Sequence, residues 1–228
     1  MTTKQEKTLA FCFLDTESEE WQKTYASLPD EPPEVEKPVP TDEEFWERCK
    51  IPNRFRREEA ALRRFPEWSS KLILIQDKIV SEAGFCIAIR GPRGTGKTQL
   101  AIEAMKFAYK RGIHSRMTSA RDIQLATTDS FKRQDVSDLD ILESFIKVPL
   151  LLIDEFDWRP GDKAHYYNSN LFYILDKRYS WMKSTILTSN ATKEEFLANV
   201  DPGILSRMAE SGGRIDCDGW NDYRRNKC

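Results

Sequence analysis

Gly91-Pro92-Arg93-Gly94-Thr95-Gly96-Lys97-Thr98 constrains this chain more than any other stretch. It matches G-x-x-x-x-G-K-[ST] in full, the pattern of a loop that wraps phosphates with backbone N–H groups. Phe85–Ile89 before it reads as a short buried strand, and Gln99–Tyr109 after it as a helix of strong helix formers. The strand therefore delivers a glycine turn onto a helix N-terminus, where unpaired N–H groups and the dipole favour an anion. The cradle predicted for ATP runs from Gly91 through Pro92, Arg93, Gly94, Thr95, Gly96, Lys97 and Thr98 to Gln99. Lys97 would reach the β- and γ-phosphates, and the Thr98 hydroxyl would be a ligand of Mg²⁺.

A second signal lies some fifty residues on. Leu150-Leu151-Leu152-Ile153 is the aliphatic run of a strand buried on both faces, as in a parallel sheet. It ends in Asp154-Glu155, where open α/β sheets bind ligands. In this Walker B arrangement Asp154 would hold Mg²⁺ and Glu155 would orient and polarise the attacking water. Together the two motifs point to hydrolysis of ATP rather than binding alone. Ser184–Asn190 is a further β-branched strand ending in an amide. If it neighbours the Walker B strand, Asn190 can bond the γ-phosphate or the lytic water. The competing reading of Asn190 is a turn or cap, because Ala191–Glu195 starts a new helix.

Composition then narrows the class. Residues 1–47 carry thirteen Asp/Glu against four Lys, about −9, so the overall −2 leaves about +7 for the remainder. A mildly basic body behind an acidic leader allows contact with nucleic acid without requiring it. The five cysteines are scattered, without a C-x-x-C pair, and only two histidines occur, which excludes a disulfide framework and a zinc site. Leu9–Leu14 is too short for a signal h-region, and no stretch approaches a membrane span. The expected location is cytoplasmic.

Three segments are expected: a leader over residues 1–40, a helical extension over 41–84 and the core over 85–228. Leu28–Pro40, with five prolines and four acids, is a linker by composition. The leader reads equally as a solvated tail or as an aromatic-bearing docking arm. Thr41–Glu44 opens a capped short helix and Pro66-Glu67-Trp68 a long one. A second strand is expected at Ser115–Thr118, and helices at Ala120–Thr127, around Leu139–Ile146, over Ala164–Trp181 and at Asp201–Met208. A last strand is expected at Arg214–Cys217. Phe131-Lys132-Arg133 sets an aromatic beside two bases, which suits stacking and phosphate contact with single-stranded DNA. A core phenylalanine followed by solvated charges explains the same letters.

In order, Gly91–Thr98, Leu151–Glu155, Thr185–Asn190 and Leu205-x-Arg207-Met208 resemble an AAA+ ATPase. With Ile51-Pro52-x-Arg54-Phe55-Arg56 and Trp220-x-x-Tyr223-Arg224, the chain is similar to the DnaC/IstB-like group of helicase loaders and transposase helpers. The resemblance covers about residues 50–225. It implies an α/β, three-layer P-loop fold with a parallel sheet of about five strands and no helical lid. It makes Asn190 a sensor residue and Arg207 a finger entering a neighbouring subunit's site, so self-association is implied. The implied partners are a replicative helicase and single-stranded DNA. A transposase on duplex DNA, or another protein client, are the alternatives.

Overall fold

In the computed structural model, residues 39–56, 65–130, 137–157 and 165–223 are described. Those from Pro40 onward form one unit. Its centre is a five-stranded, all-parallel sheet: β1 (Cys86–Arg90), β2 (Ser115–Ser119), β3 (Leu150–Asp154), β4 (Ser184–Ser189) and β5 (Gly213–Asp216). The order across the sheet is β2-β3-β4-β1-β5. Parallel neighbours need crossovers, and helices supply them. The described α-helices are α1 (Asp42–Arg48), α2 (Pro66–Ser81), α3 (Lys97–Lys110), α4 (Ala120–Ser130), α5 (Asp138–Ile146), α6 (His165–Ser180), α7 (Lys193–Asn199) and α8 (Pro202–Ser211).

The strict period of two along each strand splits the core into two layers. Leu150 and Leu152 of β3, with Ile87 and Ile89 of β1, pack on one face against Leu100, Ala104 and Met105 of α3 and Trp68, Leu72 and Ile75 of α2. Leu151 and Ile153, with Ala88 and Leu187, point to the other face, against Leu171 and Ile174 of α6 and Ile204 and Met208 of α8. A strand apolar at every position has no solvated face, which explains the unbroken Leu-Leu-Leu-Ile run. The expected three-layer α/β fold with a five-stranded parallel sheet is the observed one.

Local signals place the helix starts. Thr41 and Thr192 each complete a capping box, with Glu44 and Glu195 respectively. Asp42 fastens α1 onto α3 through ion pairs with Lys106 and Lys110. The chain after α1 then covers the free edge of the sheet, since the Cys49 carbonyl accepts the Met117 N–H of β2 at 2.8 Å. Ile51 is buried there, and the Arg56 guanidinium donates back to its carbonyl at 2.8 Å. Among the described residues, no helix is long and apolar enough to cross a membrane.

Candidate functional site

The register of the sheet brings the two motifs together. β1 and β3 flank β4, so the loops leaving their carboxyl ends open side by side. Gly91 N–H donates to the Ser189 carbonyl at the tip of β4 (3.2 Å), which puts the loop's first residue one position from Asn190. Arg90, fully buried at the end of β1, is ion-paired with Asp216 and Asp218 and holds β5 beside the same loop.

Within the loop, Gly96 takes a left-handed conformation (φ 80°, ψ 13°) as the N-cap of α3, a turn that a side chain resists. Its carbonyl accepts the Leu100 N–H at 2.9 Å, the first bond of the helix. Thr95 is buried, its hydroxyl donating to the Pro92 carbonyl at 3.0 Å. The Lys97 ammonium is buried and donates to the carbonyls of Gly91 (2.8 Å) and Pro92 (2.6 Å), so the loop's own backbone holds a cation at its centre. Pro92 and Arg93 are exposed. Gln99 is turned inward and its amide donates to Glu103 at 3.5 Å.

Thr98 carries the connection to the acid pair. Its hydroxyl donates to Asp154 Oδ1 at 2.9 Å across fifty-six residues of sequence. Two hard oxygen donors thus converge at the loop. Mg²⁺ keeps most of its waters and uses one or two protein oxygens plus substrate phosphates, so this donor set fits it. No cluster of three metal-binding side chains occurs among the described residues, and such a cation does not need one.

Thr188 organises the other side of the site, and sequence reasoning missed it. Its hydroxyl donates to Asp154 Oδ1 and accepts the Glu155 N–H at 3.1 Å, while its carbonyl accepts the Phe156 N–H at 2.7 Å. These bonds hold Glu155 in a left-handed conformation, φ 52°, unusual for a residue with a side chain. The strand therefore ends in a sharp turn that leaves the Asp154 carboxylate half-buried and the Glu155 carboxylate exposed. The signal for Thr188 was available in principle. It lies one step beyond the Ile153–Leu187 pair of the β3–β4 register, which sequence alone does not state.

Asn190 is half-buried and borders a cavity of about 270 Å³ with Asp157, Phe156, Phe196 and Asn199. The Ser189 hydroxyl beside it donates to Asp157 at 3.1 Å. Arg207 is not brought to this site. It borders a smaller cavity with Gly84, Cys86, Lys183 and Thr185, at the opposite, amino end of the strands, and is ion-paired with Asp176 of α6. Phe131, Lys132 and Arg133 lie outside the described residues, as does the leader before Val39.

Fold and site together define a P-loop nucleotide-binding domain of the AAA+ class. A family model, "IstB-like ATP binding protein", matches residues 78–209, more than half of the chain. The chain belongs to that family, within the DnaC/IstB group of AAA+ ATPases. It is 28% identical over 134 residues to the replicative helicase loader DnaC of Escherichia coli strain K12, covering 59% of this chain and 54% of that protein. It is 33% identical over 124 residues to the insertion sequence IS5376 putative ATP-binding protein of Geobacillus stearothermophilus, covering 53% and 46%. The chain thus spans about half the length of these relatives. Its fold resembles the crystal structure of the DnaC helicase loader, with a TM-score of 0.57 at 21% identity over 67% of this chain and 90% of that one.

Proposed function

We propose that this chain hydrolyses ATP and acts in DNA replication as a helicase loader, assembling on a replicative helicase and single-stranded DNA. The observation that carries the ATPase reading is the Thr98–Asp154 contact, with Glu155 turned outward one residue further on. Bound Mg²⁺, with Thr98 and Asp154 as its protein ligands, would neutralise charge on the β- and γ-phosphate oxygens. Lys97 binds the same phosphates. Glu155 orients the attacking water and takes up its proton, and Asn190 fixes the water or the γ-phosphate from the tip of β4.

Arg207 acts in trans. Its place at the far end of the sheet from its own phosphate loop supports that role, because a finger serves a neighbour only if it is not spent on its own site. Arg207→Ala should leave the ATP affinity of the dilute chain within about twofold and lower turnover of the assembly about a hundredfold or more. Steady-state hydrolysis measured across a range of protein concentrations checks this. Full activity of the variant at high concentration ends the finger reading.

The loader reading rests on charge: the acidic, aromatic residues 1–40 suit a protein-docking arm better than a DNA-binding one. On this reading 41–84 is a helical extension, 85–228 the ATPase core, and Phe131, Lys132 and Arg133 face single-stranded DNA from cytoplasmic protein. The relative from an insertion sequence favours the second reading, an ATPase that serves a transposase. Affinity capture from the native cell extract, with the full chain and with a form lacking residues 1–40, separates them. Recovery of a replicative helicase by the full chain alone supports the loader; recovery of a transposase supports the alternative.

A further inference from the structure

Among the described residues the Asn190 side-chain amide makes no hydrogen bond, so its aim is set by the backbone on either side of it. The bonds that fix that backbone come from the end of β1. Gly91 N–H donates to the Ser189 carbonyl at 3.2 Å, just before Asn190. Arg90 Nη1 donates to the Ala191 carbonyl at 3.4 Å, just after it. Within the segment, the Ala191 N–H donates to the Ser189 hydroxyl at 3.1 Å. Arg90 is in turn held from the β5 side. Its Nε lies 2.6 Å from Asp216 Oδ1, and Nη1 and Nη2 both meet the Asp218 carboxylate. Its own carbonyl accepts the Cys217 N–H at 2.8 Å. Arg214 Nε shares Asp216 at 2.8 Å, so two guanidinium groups face two carboxylates. The Arg90 side chain is fully buried, and a bidentate carboxylate fixes the direction of its planar fork.

We propose that Arg90 is a positioning residue for ATP hydrolysis: it ties the tip of β4 to the segment after β5 and thereby sets where Asn190 points. The proposal rests on reading Gly91–Thr98 and Asn190 as parts of an ATPase site. A fork anchored on Asp216 and Asp218 meets the Ala191 carbonyl from one fixed direction. The peptide that carries Asn190 is therefore fixed relative to the phosphate loop, whose first residue follows Arg90 directly. Such a role acts on the chemical step more than on binding. Lys97 and the loop amides hold the phosphates whether or not Asn190 is aligned, whereas a small displacement of a group that meets the lytic water or the γ-phosphate slows turnover. A lysine at the same position keeps the charge but has no fork, so it cannot hold both carboxylates and the carbonyl in one geometry.

ATPase kinetics with Mg·ATP, ATP affinity and melting temperature test this on the full chain, in the parent, Asn190→Ala, Arg90→Lys, Asp218→Asn and the two double variants that combine the last two with Asn190→Ala. Arg90→Lys should lower kcat about tenfold while KM and ATP affinity stay within about twofold. Asp218→Asn changes a half-exposed carboxylate and leaves the Asp216 pair in place, so the chain should stay folded and lose about threefold in kcat. If Arg90→Lys does not fold, Asp218→Asn decides. Neither substitution should lower kcat further in a chain that already carries Asn190→Ala, because nothing is left to aim. Unchanged kcat in the single variants overturns the proposal, as does an equal loss with and without Asn190, or a KM that rises while kcat holds. An Asn190→Ala chain as active as the parent overturns the sensor role and the positioning role together. A parent chain that hydrolyses no ATP overturns the ATPase reading and this proposal with it; normal parent turnover with additive variants overturns the proposal alone.

Discussion

Glu155→Gln should keep ATP affinity within about twofold of the parent chain while single-turnover hydrolysis falls by about a hundredfold or more. Glutamine preserves the shape and one acceptor of the side chain but cannot take a proton, so only the chemical step loses. Lys97→Ala should behave in the opposite sense and abolish measurable ATP binding. Its ammonium is buried and held by the Gly91 and Pro92 carbonyls, so its charge is delivered at the loop without water to screen it. Removing that charge leaves a polyphosphate facing carbonyl oxygens. Filter binding of labelled ATP and a single-turnover assay separate the two phenotypes. Unchanged turnover in the glutamine variant would remove Glu155 from the mechanism.

The largest effect on stability is expected away from the site. Arg178 of α6 is fully buried, and each guanidinium nitrogen is used. Nε donates to the Thr185 hydroxyl at 2.9 Å. Nη1 donates to the carbonyls of Phe145 (2.8 Å), Ile146 (3.1 Å) and Val148 (2.7 Å), and Nη2 to Ser184. Phe145 and Ile146 end α5, where carbonyls lack helical partners and the dipole is negative. One planar fork thus closes a helix terminus and ties it to β4. Burial lowers the Arg178 pKa to about 9, still charged at neutral pH.

Arg178→Met should cost about 3–5 kcal/mol, because several carbonyls are left buried without donors. At a few degrees per kcal/mol for a domain of this size, the melting temperature should fall by roughly 10 °C. Arg178→Lys should recover only part of the loss, since an ammonium is a point with three donors and not a fork. Calorimetry or urea unfolding of the parent and both variants measures this. A methionine variant as stable as the parent would show that these carbonyls find other donors.

Both predictions bear on what could be read from the letters. The aliphatic run at Leu150–Ile153, the capping boxes at Thr41 and Thr192 and the glycine loop are local signals. They act within one turn or one strand, so they survive without knowledge of the fold. The observed elements accordingly match the expected ones closely: the first strand runs Cys86–Arg90 against an expected Phe85–Ile89, and the sixth helix His165–Ser180 against Ala164–Trp181. Arg178 shows where such reading stops. Helical spacing puts it on a face related to that of Leu171, Ile174 and Leu175, but whether an arginine there meets water or the interior depends on α5 and β4.

By itself, the sequence determined the element types, the alternation of strands with helices, and the residue chemistry of a phosphate loop followed by an acid pair. Those follow from backbone propensity and hydrophobic period, which belong to contiguous residues. Only the tertiary structure decided that Thr98 meets Asp154, that Thr188 bends the strand tip beneath Glu155, and that Tyr223 closes on Gly94. It also placed Arg207 at the amino end of the strands, paired with Asp176. Each of these contacts joins residues about thirty to well over a hundred positions apart. Their energy lies in strand order and register, which no single stretch of chain encodes.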